Sequence, residues 1–252
     1  MSIFADIATR LSNALALKTQ LVAVSFTDKI PSGHTSPKQS VAAGCKFWEL
    51  GAGAAITTDA SDHKHCAIGI HTHNIAEASS SQGDELASTL AAMQGLDYVR
   101  PEEVALIPVL EKQSRYVSYS PLAECVEVPA TVLLFTNAEQ SLVITEAIAR
   151  VDGTAPASLG RPACALIPQV VNSGQSAASL GCCGARAYLD GFDVNTTLWA
   201  LNGEKLNEYA GAVETLGAAN RTLRKFHEIR RSDIEKGTSP SVNESLERLM
   251  SS

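Results

Sequence analysis

The spacing of apolar and polar positions predicts a chain of helices and short strands. Ile3, Phe4, Ile7, Leu11 and Leu15 recur at helical intervals across residues 2–17, as in an amphipathic helix laid on a core. Leu21–Phe26 follows as a compact apolar run rich in strand formers, and Pro31, Gly33 and Pro37 then break the chain. Residues 39–50 read as a helix ended by Gly51 and Gly53, and Ala55–Thr58 as a strand. Residues 60–82 are rich in His and Ser and read as loop. Asp84 is placed to cap a helix over Glu85–Gln94 that Gly95 ends. Val104–Leu110 and Arg115–Ser120 read as strands, with Pro108 demoting the first to an edge or a break.

Ala130–Phe135 is the clearest strand, and Asn137 caps a helix running from Glu139 to Arg150. Residues 164–173 read as helix and Gly181–Gly191 as a glycine-rich turn. Leu206, Tyr209, Val213, Leu216 and Leu223 form the seam of a helix reaching about Arg231. The expected fold class is α+β: one sheet covered by helices, with a long C-terminal helix. Residues 1–232 are expected to form a single mixed domain, and residues 233–252 a loosely attached tail.

A weak internal echo runs through this order. A strand (Leu21–Phe26) precedes Cys45, a helical pattern and Cys66. A second strand (Ala130–Phe135) precedes Cys164, a helical pattern and Cys182. The cysteines of the two pairs are 21 and 18 residues apart, as in two pseudo-repeated halves that each bring two thiols to one place.

Composition narrows the function classes. The 252 residues are 45% hydrophobic and carry a formal charge of -7, which suits a folded core and argues against broad nucleic-acid or anionic-membrane binding. The longest apolar runs are strand-length, short of the ~20 residues of a membrane span. The N-terminus lacks a signal-peptide pattern, since Asp6 and Arg10 interrupt it, so a cytoplasmic location is the default. In that setting the six cysteines are poor candidates for disulfides.

Thiolates are favoured ligands of iron–sulfur clusters and of zinc, so Cys45, Cys66, Cys164 and Cys182 are candidate metal ligands. None of them has compact C-x-x-C spacing, and buried cysteines also serve as small hydrophobes, the role that best fits Cys125. In Gly181-Cys182-Cys183-Gly184-Ala185-Arg186, the glycines at 181 and 184 let backbone approach a cofactor closely. Arg186 is the candidate catalytic residue, a planar fork of donors for an anionic substrate. His63, His65, His71 and His73 flank Cys66 and offer an alternative zinc or other divalent-metal site, or a solvated loop. A cysteine nucleophile with a histidine base is a third option.

Several pieces resemble the domain-of-unknown-function 169 family of prokaryotic proteins. They are Ala43-Gly44-Cys45-Lys46, Ile56-Thr57-Thr58 leading to Cys66-Ala67-Ile68-Gly69, Thr131–Thr136, Pro162-Ala163-Cys164-Ala165 and the Gly181–Arg186 segment, in order across roughly residues 10–230. The resemblance implies that Cys45, Cys66, Cys164 and Cys182 are the family-type cysteines. A C-x-G-x-R element matches with Cys182 as ligand, and Cys183 is the rival one residue on. The expectation is a [4Fe–4S] protein, an iron–sulfur-dependent oxidoreductase or sulfur-handling enzyme acting on a small anionic molecule with an electron donor. Zinc is the alternative metal.

Overall fold

The computed structural model describes residues 2–251. Helix α1 (Ile3–Leu15) starts where the Ser2 side chain accepts the Ala5 N–H, and it buries Phe4, Ile7, Leu11 and Leu15. Strand β1 (Val22–Thr27) follows, then α2 (Lys46–Gly53) and β2 (Ile56–Thr58). The polar stretch after β2 holds the short helix α3 (Ala67–Thr72) and the start of α4 (Ser80–Gly95). Ser79, not Asp84, caps α4, because Gln82 completes a reciprocal capping box with it. Residues 104–110 form no strand. They follow the short helix α5 (Pro101–Val104), and Pro108 has no N–H to give a ladder.

The chain continues through β3 (Tyr116–Pro121), β4 (Thr131–Thr136), α6 (Ala138–Asp152), β5 (Ala157–Leu159), α7 (Leu166–Ser173) and β6 (Ala177–Ser179). The glycine-rich segment read as a turn contains helix α8 (Cys183–Tyr188). Strand β7 (Thr197–Asn202) has no counterpart in the sequence reading. The long helix is α9 (Leu206–Glu235), and α10 (Val242–Met250) folds back on it, with Arg248 paired to the largely buried Asp233.

The seven strands form one sheet in the order β2-β3-β1-β4-β7-β6-β5, all neighbours antiparallel except β5 and β6. This is the expected α+β class. Both faces of the central strands are buried, so alternate residues serve different cores. Val22, Val24, Leu133, Leu198 and Ala200 face the layer of α2, α7 and the candidate site. Ala23, Val132, Leu134, Trp199 and Leu201 face α1, α6 and α9.

The sheet also shows why the sequence carries an echo. β1 and β4 meet antiparallel at the centre, with Ala23 opposite Val132. On one side β1 pairs with β3 and β3 with β2; on the other β4 pairs with β7 and β7 with β6. The registers match: Val24 faces Tyr119, which faces Ile56, and Leu133 faces Ala200, which faces Ala177. Between the matched strands, α2 corresponds to α7 and α3 to α8. A pseudo-dyad through Ala23 and Val132 therefore relates two halves of the sheet.

Candidate functional site

Each half delivers two cysteines at equivalent places. Cys45 precedes α2 and Cys164 lies in the turn leading into α7, while Cys66 and Cys182 are the residues on which α3 and α8 begin. All four line one cavity of about 760 Å³ on the face of the sheet covered by α2 and α7. Cys183 lines it as well, exposed, its thiol 3.6 Å from the Tyr98 hydroxyl. Cys125 stands apart, on the other face of the sheet beside the Ser120 hydroxyl.

The sulfurs are held as acceptors. Cys182 Sγ accepts the Ala185 N–H at 3.5 Å, and Cys164 Sγ accepts the Thr72 hydroxyl at 3.5 Å. The Gly44 and Gly69 amides face Cys66 and partly offset the cost of charging it. A Cβ at Gly69 would stand 2.9 Å from Cys66 Sγ, and one at Gly44 3.4 Å from it and 2.8 Å from His63 Nδ1. Only glycine lets the backbone close in on this sulfur. Burial pushes the Cys45 thiol up to about 12, with the charges of Cys66 and Cys182 adding to it. Burial likewise raises Cys164 and Cys66. No lysine lines the cavity and its one arginine, Arg161, stands at the rim, so the metal-free thiols of Cys45, Cys66 and Cys164 stay protonated at neutral pH.

The histidine run divides. His63 and His73 are buried: His63 lies 4.7 Å from the Phe47 ring and bonds the Thr58 hydroxyl at 3.1 Å, and His73 packs edge-on to Phe26. Neither His73 nitrogen finds a partner of normal geometry. Burial lowers His63 to about 3, helped by His73, and lowers His73 to about 4. His65 and His71 are exposed at the rim of the cavity. His65, His71 and the buried His73 thus line the cavity, while His63 sits behind it, 6.4 Å from His73 between ring centres.

Gly184 lines the cavity, whereas Gly181 does not. Gly181 has φ +82°, and a Cβ there would enter the Phe192 ring, so it serves the turn. Arg186 also lies outside the lining. Its guanidinium donates to the carbonyls of Asp193 and Leu180 and stacks over Phe192, so this arginine braces the loop after α8. The arginine that does reach the cavity is Arg161, which the sequence reading passed over, with Tyr98 and Glu103 beside it. A lone Arg-Pro pair in a loop carries no motif that would have singled it out.

The donor set suits a thiophilic metal group: four thiols, two from each half, with N–H and O–H groups aimed at sulfur and a glycine cradle around Cys66. Among the described residues, no three His, Cys, Asp or Glu side chains gather as a site for a single metal ion. A tetrahedral zinc would need sulfurs about 3.8 Å apart. No helix is long and apolar enough to cross a membrane among the described residues. No curated protein and no solved structure matches the chain. Residues 10–211 match the model of the DUF169 family, described as "Uncharacterised ArCR", and the chain belongs to that family.

Proposed function

We propose that this DUF169 protein holds a [4Fe–4S] cluster through Cys45, Cys66, Cys164 and Cys182 and acts in redox or sulfur-related chemistry on a small molecule. The observation that carries this reading is the pseudo-dyad, which sets two cysteines from each half around one cavity. When bound, the cluster would supply one-electron redox chemistry or a Lewis-acidic iron. The chain's own part is to give up four thiol protons, to hold the sulfurs of Cys66, Cys164 and Cys182 with main-chain and hydroxyl donors, and to line the cavity beside them with the buried Ala163 and Ala185. A cytoplasmic, reducing setting belongs to the same proposal, since all six thiols are free.

Anaerobic purification with iron and sulfide quantitation tests it. About four irons and four sulfides per chain are expected, with a broad visible band. Serine at 45, 66, 164 or 182 should abolish both, while Cys183→Ser and Cys125→Ser keep them. A colourless chain without iron or sulfide, even after reconstitution, would sink the proposal. Zinc without sulfide would replace it with a mononuclear site.

A further inference from the structure

The two halves differ most where chain has been added. Between α3 and β3 the first half carries residues 73–115, whereas residues 189–196 suffice between α8 and β7. The longer insertion builds α4 and α5, which roof the thiol cavity from one side only. The symmetric part of the fold therefore supplies the thiols, and the asymmetric part supplies a chamber over them.

That roof is unfinished as a protein core. Leu86, Leu90 and Met93 form the apolar stripe of α4 at i, i+4 and i+7, and all three line the cavity half-buried. The one residue α4 buries fully is Gln82. The chamber lies within the range of about 300–1,000 Å³ typical of small-molecule sites. At its rim Arg161 is the only lysine or arginine in the lining. Its guanidinium sits 4.6 Å from the centre of the Tyr98 ring and gives one N–H to Glu103 at a long 3.4 Å. An arginine has five donors in a planar fork matched to oxyanions, so most of this one's capacity is unspent. Glu85 and Glu103 are the other charged groups of the lining, with His65 and His71 at the rim and the buried His73 behind them. Glu103 can release Arg161 because its carboxylate already accepts the Arg100 N–H at 2.8 Å.

We infer that the chamber binds a small molecule with an apolar body and one oxyanion head. The body lies beneath Leu86, Leu90 and Met93, and the head on Arg161 and the Tyr98 hydroxyl. This names the substrate class of the proposed enzyme, in the role the sequence pattern suggested for Arg186.

Two fluorescent probes of similar ring body test the inference on the full-length protein as isolated, with its fold checked by circular dichroism. They are 8-anilinonaphthalene-1-sulfonate, which carries the anion, and neutral N-phenyl-1-naphthylamine. The anionic probe should bind about tenfold tighter than the neutral one. Arg161→Met should weaken the anionic probe by about that factor and leave the neutral one unchanged, with Arg161→Lys recovering part of the loss. Leu90→Trp should weaken both, and Arg186→Met neither. Equal binding of the two probes, or indifference of the anionic probe to Arg161→Met, overturns the inference. So does indifference of both probes to Leu90→Trp. A chain that stays iron-free even after reconstitution and still binds through Arg161 would refute the cluster and leave this site standing. A loaded chain indifferent to Arg161 would do the reverse.

Discussion

Acid should unfold the metal-free protein through His63 and His73. Both rings are buried, and burial holds them at about 3 and 4, below the ordinary value of 6.5. As pH falls, the unfolded chain binds these two protons first, so the native state loses stability from about pH 6.5 downward until the buried rings themselves titrate. Between pH 7.5 and 5.0 each neutral ring costs the native state about 2 kcal/mol relative to the unfolded chain, and the pair about 4 kcal/mol. That is a large share of a typical domain's 5–15 kcal/mol. Carboxylates add a background of their own, so the informative quantity is a difference. In His73→Phe, whose ring can keep the edge-on contact with Phe26, the loss over this interval should shrink by about 2 kcal/mol. Urea unfolding followed by circular dichroism at pH 7.5, 6.5, 5.5 and 5.0, on chelator-treated wild type and variant, measures it. Equal losses in the two proteins would refute the reasoning and mean that His73 is solvated or partnered in solution.

Other consequences are checked more simply. Loading with metal should release protons and weaken steadily below neutral pH, because the thiols of Cys45, Cys66 and Cys164 are raised by burial and must ionise to bind; a pH indicator in weak buffer during reconstitution reads this. Gly69→Ala places a methyl 2.9 Å from Cys66 Sγ and should cut iron content by more than half, whereas Gly53→Ala, with open space around it, should not. Gly203→Ala drives a Cβ to 1.6 Å from the Pro129 carbonyl oxygen and should cost about 3 kcal/mol or more in denaturant unfolding, since backbone must move. Asp152→Ala removes the carboxylate that accepts from Tyr209 at 2.8 Å and Lys205 at 2.9 Å, and should cost about 1–3 kcal/mol by leaving the buried hydroxyl with Ser176 alone.

Local pattern carried much of the fold. The periodicity of Ile7, Leu11 and Leu15 sufficed for α1, Asn137 for the start of α6, and the Leu206–Leu223 seam for α9, because capping and amphipathic spacing are properties of neighbouring residues. The same reading failed at Val104–Leu110, where apolar residues face a cavity wall. It also passed over Leu198–Leu201, a continuous apolar run that becomes β7 because its two sides are buried in different cores.

The echo was legible from spacing, and the four cysteines from the family resemblance added to it. That the echo is a dyad was decided by strand pairing, since unequal insertions hide matched registers from a linear comparison. Which histidines are buried, and that Arg161 and not Arg186 reaches the cavity, also lay beyond the sequence. Those facts depend on contacts between segments far apart in the chain, such as Tyr98 with Arg161 and His73 with Phe26, and only packing of the whole sheet and its helices brings such pairs together.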